Sequence, residues 1–290
     1  MNFKRISVII FTGFVLIWLA GCSDLLNLLN QMNVQEPKVN FSQVKMTGLT
    51  FDKVDLLFDI DINNPNSVGI NLAGFDYDLF LNQNSFLKGD QQDGLEIKAN
   101  GKETVKIPLS LDFKSIYQTF QSVKDLDSIN YELKTGLSFN LPALGNIRIP
   151  VSKSGYIPSL KLPSISLNQL KLDKISFTGA DLSLKLNIKN PNAVSMLMKN
   201  LNYTFDVSGS QWVSGKTSQS MDVNAKSDNI VTIPLSLNFL NMGRSAYNLL
   251  SGNEELNYQL QGNADLGTSI KLLGDFKLPF DQSGKVKLFK

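Results

Sequence analysis

The sequence predicts an all-β protein with minor helix, built as two tandem antiparallel β-sandwiches of immunoglobulin or fibronectin type III kind, each with one short helix. Three observations predict it. Long stretches alternate apolar and polar residues with a period of two, Gly, Asn, Asp and Pro punctuate them, and the whole pattern occurs twice. Asn64-Pro65-Asn66 recurs as Asn190-Pro191-Asn192, and Val105 to Phe113 recurs as Val231 to Phe239, both at an offset of 126 residues. The same offset aligns Pro37, Val39, Phe41 and Gln43 with Pro163, Ile165, Leu167 and Gln169. Later landmarks drift to 127 (Tyr131 and Tyr258) and 129 (Gly155 and Gly284), so loops change length while strand order is kept. A solenoid unit spans about 20 to 50 residues and a domain about 100 to 150, so each copy is a domain.

The elements follow in chain order. Lys4 and Arg5 precede an apolar run from Ile6 to Leu19, which ends in Leu19-Ala20-Gly21-Cys22. The run is about 14 residues, short of the roughly 18 to 20 of a spanning helix, so residues 1–21 read as a signal peptide. Leu-Ala-Gly-Cys resembles the bacterial lipobox, which implies cleavage before Cys22 and lipidation of that residue. Two or more acyl chains would hold the mature chain on a membrane. Ser23 rather than Asp follows, which by resemblance to lipoprotein sorting in enteric bacteria favours the outer membrane. Residues 22–36 form the lipidated tether, with Leu25, Leu26, Leu28, Leu29 and Met32 spaced along one helical face. This segment either lies on lipid or docks on the first domain. Domain 1 spans 37–158 and domain 2 spans 159–290.

Within the copies, Leu56, Phe58, Ile60 and Ile62 alternate with Asp55, Leu57, Asp59 and Asp61, as Leu182, Leu184, Leu186 and Ile188 alternate with Ser183, Lys185, Asn187 and Lys189. Phe75, Tyr77, Leu79 and Leu81 form the next such run, matched by Leu201, Tyr203, Phe205 and Val207. One face of each run is core and the other solvent. Pro108 and Pro234 lack an N–H, which places their strands at a sheet edge. A helix is expected after each, marked in the first copy by Ile116, Phe120, Val123 and Asp127. The segment Lys285-Val286-Lys287-Leu288 reads as a final strand whose lysines discourage edge pairing.

Composition narrows the chemistry. The chain has no histidine and one cysteine, Cys22, so no internal disulfide, Cys/His catalysis or zinc site is expected. Removing residues 1–21 takes away two cations and no acid, leaving 26 of each sign. A neutral chain without a basic run does not suit nucleic acid. Paired carboxylates, Asp59 with Asp61 and Asp76 with Asp78, are the remaining candidates for acid–base work or a hard cation. Asp59 and Asp61 align with Lys185 and Asn187, which fits a solvent face better. No catalytic residue, metal or cofactor is therefore assigned.

The motif residues Asn64, Pro65, Asn66, Asn190, Pro191 and Asn192 read as structural turns. The residue before proline is driven to extended geometry, Pro presets φ, and the following Asn tolerates left-handed geometry. A polar recognition loop is the competing reading. Met196, Met198 and Trp212 align with Ile70, Leu72 and Phe86 and read as core.

A lead-in proline, alternating strands ending in Asn-Pro-Asn, Phe75-Asp76-Tyr77 with Leu201-Asn202-Tyr203, and the repeated Ile-Pro-Leu-Ser-Leu resemble the water stress and hypersensitive response (WHy) domain of type 2 late embryogenesis abundant proteins. The resemblance covers about residues 37–290 as two copies. It implies a compact antiparallel β-sandwich with a helix, and an association with desiccation, osmotic or other stress without an established catalytic activity. The expected protein is a non-enzymatic, membrane-anchored lipoprotein of a bacterial cell envelope, on the outer membrane and facing the periplasm. It would act in stress protection or interaction, with client proteins or lipids as partners beyond the membrane. Two other readings stay open: a carrier of lipid or another lipophilic ligand, and an envelope scaffold or adhesin.

Overall fold

The computed structural model describes residues 34–142, 144–218, 220–242, 244–252 and 255–289. Cys22 and the tether up to residue 33 lie outside the described residues. In the first copy, β1 (Lys38–Leu49), β2 (Lys53–Asn63) and β6 (Lys102–Asp112) form a sheet in the order β1-β2-β6. β4 (Asn84–Gln91), β3 (Ile70–Leu81), β7 (Ser128–Leu141) and β8 (Gly145–Pro158) form another in that order, with β5 (Leu95–Ile97) also paired to β3. The second copy repeats the plan. β14 (Ser227–Asn238), β10 (Gly179–Asn190), β9 (Ser164–Ile175) and β17 (Leu288–Phe289) make one sheet. β12 (Ser210–Thr217), β11 (Met196–Val207), β15 (Leu256–Thr268) and β16 (Asp275–Val286) make the other, with β13 (Met221–Val223) on β11.

The period-two runs bury the predicted face. Phe58, Ile60 and Ile62 on β2 are fully enclosed, as are Leu184, Leu186 and Ile188 on β10. Phe58 meets Tyr131 of β7 edge-on, with ring centroids 5.6 Å apart, which ties the two sheets of the first copy face to face. In the second, Leu184 of β10 and Phe205 and Leu260 of the facing sheet share one buried cluster that also takes in Met196, Met198 and Trp212. Burying a side chain of this size contributes about 1.5–3 kcal/mol, so the alternating faces supply the main drive for sheet stacking. β6 and β14, which carry Pro108 and Pro234, are edge strands as expected.

The described chain forms two compact units. One holds the described residues up to Met46, Leu56–Leu109 and Ile129–Ile157, and the other holds Thr47–Asp55, Ser110–Ser128 and the described residues from Pro158 onward. The β1–β2 turn and the stretch after β6 therefore belong to the same unit as the second copy.

Some elements differ from expectation. In the first copy the helix is α1 (Phe113–Thr119), capped by the Asp112 side chain, which accepts from the Ser115 N–H at 2.7 Å, and it passes into a single 3₁₀ turn at Gln121–Val123. The second copy has two short helices, α2 (Phe239–Met242) and α3 (Arg244–Ser251), where one was expected. The C-terminal segment divides: Lys285 and Val286 close β16 against β15, whereas Leu288 and Phe289 cross to pair in parallel with Leu170 and Lys171 of β9. Alternation alone does not tell which sheet a strand joins.

Two devices recur in both copies. The β3–β4 and β11–β12 hairpins close with two residues at positive φ, Asn82 and Gln83 in one and Ser208 and Gly209 in the other. Positive φ at both positions is the type I′ turn that matches strand twist. Tyrosines also lie over cross-strand glycines. Tyr77 stands opposite Gly89, Tyr203 opposite Gly215 and Tyr258 opposite Gly284. A Cβ on Gly215 would stand 2.7 Å from the Tyr203 hydroxyl oxygen, so the glycine leaves room for the ring.

Candidate functional site: two asparagine clasps

Asn64 directly follows β2 and Asn190 ends β10, at the point where the strand must leave its sheet. All four motif asparagines are buried, and their polar atoms are spent inside the protein. The Asn64 side-chain amide donates to the carbonyls of Val68 (2.8 Å), Lys98 (3.0 Å) and Ile97 (3.3 Å). Its Oδ1 accepts from the backbone N–H and the side-chain amide of Asn66, at 3.0 and 2.9 Å. Asn66 in turn grips the lead-in segment: its Nδ2 donates to the Gln35 carbonyl at 2.9 Å and its Oδ1 accepts from the Gln35 N–H at 2.7 Å.

The second copy reproduces this set bond for bond. Asn190 Nδ2 donates to Val194 (2.8 Å), Asn224 (3.1 Å) and Val223 (3.4 Å), and Asn190 Oδ1 accepts from the Asn192 N–H at 3.0 Å. Asn192 exchanges a donor and an acceptor with the Lys161 backbone, at 2.7 and 2.8 Å. Each clasp thus pins three separate stretches of backbone: the strand end, the lead-in segment and the loop after β5 or β13. The carbonyls of Asn66 and Asn192 complete it by accepting from the N–H groups of Asn100 and Lys226.

One expectation is corrected. Among the described non-glycine residues at positive φ, neither Asn66 nor Asn192 appears; the left-handed residues of the clasp are Asn100 (φ 53°) and Lys226 (φ 50°) on the opposing loop. The motif asparagines work through their side-chain amides. Buried amides must be paired, since an unpaired buried donor or acceptor costs about 1–3 kcal/mol. The partners Gln35, Val68, Lys98 and Asn100 were not singled out from the sequence; their counterparts 126 positions later are Lys161, Val194, Asn224 and Lys226, so only the valine is kept, because these residues contribute backbone groups that any side chain allows.

The carboxylates are likewise committed to local structure. Asp59 was placed on a solvent face, but its side chain is 8% exposed, because β2 is the central strand of its sheet and lysines from both flanking strands lie over it. Lys106 reaches it at 3.0 Å and Lys45 at 3.9 Å. Asp61 accepts from Ser42 at 3.0 Å and Thr104 at 2.8 Å. Asp76 holds Arg148 through two bonds of 2.7 and 3.0 Å, which raise the guanidinium pKa, and Asp78 holds Lys88 and Ser85. Asp55 takes the Ser110 hydroxyl at 2.6 Å; that bond, helped by Lys53, lowers its pKa. Asp181 and Ser236 repeat this pair in the second copy. Burial raises the phenol pKa of Tyr131, Tyr203 and Tyr117, the last offset by its bond to Ser159.

A surface depression of about 450 Å³ is lined by Asp76, Asp78, Lys134 and Arg148 together with Phe80 and Val151. Four charged side chains in its wall make it a poor seat for an acyl chain. Among the described residues, no helix is long and apolar enough to cross a membrane.

Comparison with known proteins agrees with the repeated geometry. The family model LEA_2, described as late embryogenesis abundant protein, matches residues 59–155 and again 185–284. A desiccation-related protein of Arabidopsis thaliana is 28% identical over 133 residues, which is 46% of this chain and 78% of that protein. The late embryogenesis abundant protein Lea14-A of Gossypium hirsutum is 25% identical over 46% of this chain and 87% of its own length. A solution structure of an Arabidopsis thaliana protein is 25% identical and covers 43% of this chain and 83% of that one, with a TM-score of 0.36. With both copies matched, the chain belongs to the LEA_2 family of late embryogenesis abundant proteins.

Proposed function

We propose that this chain is a non-enzymatic lipoprotein of a bacterial cell envelope, held on the outer membrane through Cys22 and facing the periplasm, that protects neighbouring proteins or lipids against desiccation or osmotic stress. The observation that carries the reading is the double LEA_2 match together with relatives named for desiccation, among them a desiccation protectant protein homolog of Glycine max. The anchor rests on Leu19-Ala20-Gly21-Cys22 behind a basic and then apolar leader. Committed side chains support a non-catalytic role, because the motif asparagines and the paired carboxylates already have structural partners. What remains for function is the outward polar face of the strands and the surface around it.

The test compares a deletion strain with the same strain complemented by wild type or by Cys22→Ser. Deletion should lower survival after drying or osmotic shock, wild type should restore it, and Cys22→Ser should leave an unprocessed or mislocalised chain that restores little. Mass spectrometry of the wild-type N-terminus should find acyl chains on Cys22. An unmodified cysteine would sink the anchor, and undiminished survival of the deletion strain would sink the protective role. Saturable transfer of a labelled lipid by the purified protein, without protection, would instead favour a carrier.

A further inference from the structure

The two copies differ in what covers one aromatic residue. Phe51, on the β1–β2 turn, lies against Phe276 of β16 with ring centroids 4.6 Å apart, and it packs on the buried cluster of the second copy. The same compact unit also holds the ion pairs Asp127 with Lys226 and Asp125 with Lys161, and the Tyr117 hydroxyl bonded to Ser159. At the offset of 126, Phe51 corresponds to Phe177 on the β9–β10 turn. Phe177 is 93% exposed, and beside it Leu240 is 81% exposed, with Ile175 and Tyr247 also open and Tyr247 stacked on Phe177 at 6.4 Å. The receiving position repeats as well. At the offset of 129 that aligns the last strands, Phe276 corresponds to Ile147 of β8. Ile147, Ile149 and Val151 are only half-buried, whereas the matching Leu278 and Phe280 are buried.

We propose that the Phe177 and Leu240 tip docks on β8 of a second copy of this chain, around Ile147, so that the contact made inside the chain by Phe51 is repeated between chains. The occupant follows from the molecule itself: donor tip and acceptor strand are both present, and the same pair of positions already meets once within the chain. Lipid is a weaker occupant. The cations near the tip, Lys171 and Lys174, share it with Asp173 and Asp181, and interfacial segments carry a clearly cationic polar face. The donor and acceptor are different surfaces, so the contact is heterologous and leaves one of each unused at the ends of an assembly. Growth is therefore open-ended. Lys226 and Lys161 correspond to Asn100 and Gln35 in the first copy, so the contact between chains lacks both ion pairs and should be weaker and reversible.

The test uses the full chain with Cys22→Ser, in mild detergent, so that the native thiol is gone. One version carries Phe177→Cys and the other Ile147→Cys, and the two are mixed with a short bismaleimide linker. The cross-linked heterodimer should outweigh either homodimer, and sedimentation of the unlinked parent should show average mass rising with concentration, lost on Phe177→Asp with Leu240→Asp. All variants are surface changes, and their unfolding curves should overlay the parent. Homodimers of the Phe177→Cys version in excess would mean a symmetric tip-to-tip contact and overturn the proposal. A parent that stays monomeric at every concentration would overturn it too. So would binding of the parent to phosphatidylcholine vesicles that Phe177→Asp abolishes, without heterodimer formation.

Discussion

Asn190→Asp exchanges the donating amide of the second clasp for an oxygen of nearly the same size, so it tests hydrogen-bond polarity without opening a cavity. In the native protein the Asn190 amide faces three carbonyls, two of them at 2.8 and 3.1 Å and the third at 3.4 Å, and the residue is 1% exposed. A carboxylate there would point negative charge at three carbonyl oxygens. Leaving one buried carbonyl unpaired costs about 1–3 kcal/mol, and stranding a buried charge costs about 3–5 kcal/mol. Two good donated bonds are lost, so the expected destabilisation at neutral pH is about 3–5 kcal/mol, a large part of the roughly 5–15 kcal/mol a domain possesses. The sign of the pH dependence is set by burial. The new carboxyl has a folded pKa above its unfolded value of about 3.9, so its penalty is present at neutral pH and shrinks as pH falls towards that value. A protonated carboxyl can donate one bond back. Urea unfolding of the full chain at pH 7 and pH 4.5 reads this out, with a midpoint drop on the order of 1 M or more for a slope of about 1–3 kcal/mol/M. Asn64→Asp should do the same in the other unit. Stability within about 0.5 kcal/mol of the parent at pH 7 would refute the clasp reasoning, because surface substitutions away from such features fall in that range.

Two further outcomes are expected. Gln83 sits at φ 70° where the second copy has Gly209 at φ 78°, so Gln83→Gly should stabilise the first hairpin by about 0.5–1 kcal/mol, measured as a rise in thermal midpoint; a fall would show that turn strain is not the controlling quantity. Stability should also be nearly level from about pH 5 to 9, since the chain has no histidine. Below that range it should fall, because the lowered carboxyls Asp55, Asp112 and Asp173 contribute stability above the unfolded value and lose it as pH drops through the folded one. Above about pH 10 it should fall again, because raised phenols such as Tyr131 and Tyr203 ionise first in the unfolded chain. A transition near pH 6.5 in equilibrium unfolding would contradict this account.

Local pattern determined a good deal of this protein. The 126-residue offset revealed two copies, the alternation at Leu56 to Ile62 and Leu182 to Ile188 picked out the core faces, and Pro108 and Pro234 marked the edge strands, because side-chain period and a missing N–H are properties of the segment itself. Tertiary structure decided where the segments meet. Asn-Pro-Asn reads locally as a turn, and the Val68 bond is local, yet the other main-chain partners of the Asn64 and Asn66 side chains belong to residues 35, 97 and 98, each more than thirty positions away. Asp59 has the spacing of a solvent residue and is buried only because Lys45 and Lys106 arrive from two neighbouring strands. Phe51 and Phe177 occupy the same place in the repeat, and only packing covers one and exposes the other. A segment's sequence sets which face is apolar, whereas the cover over that face comes from residues distant in the chain, whose arrival depends on the fold as a whole.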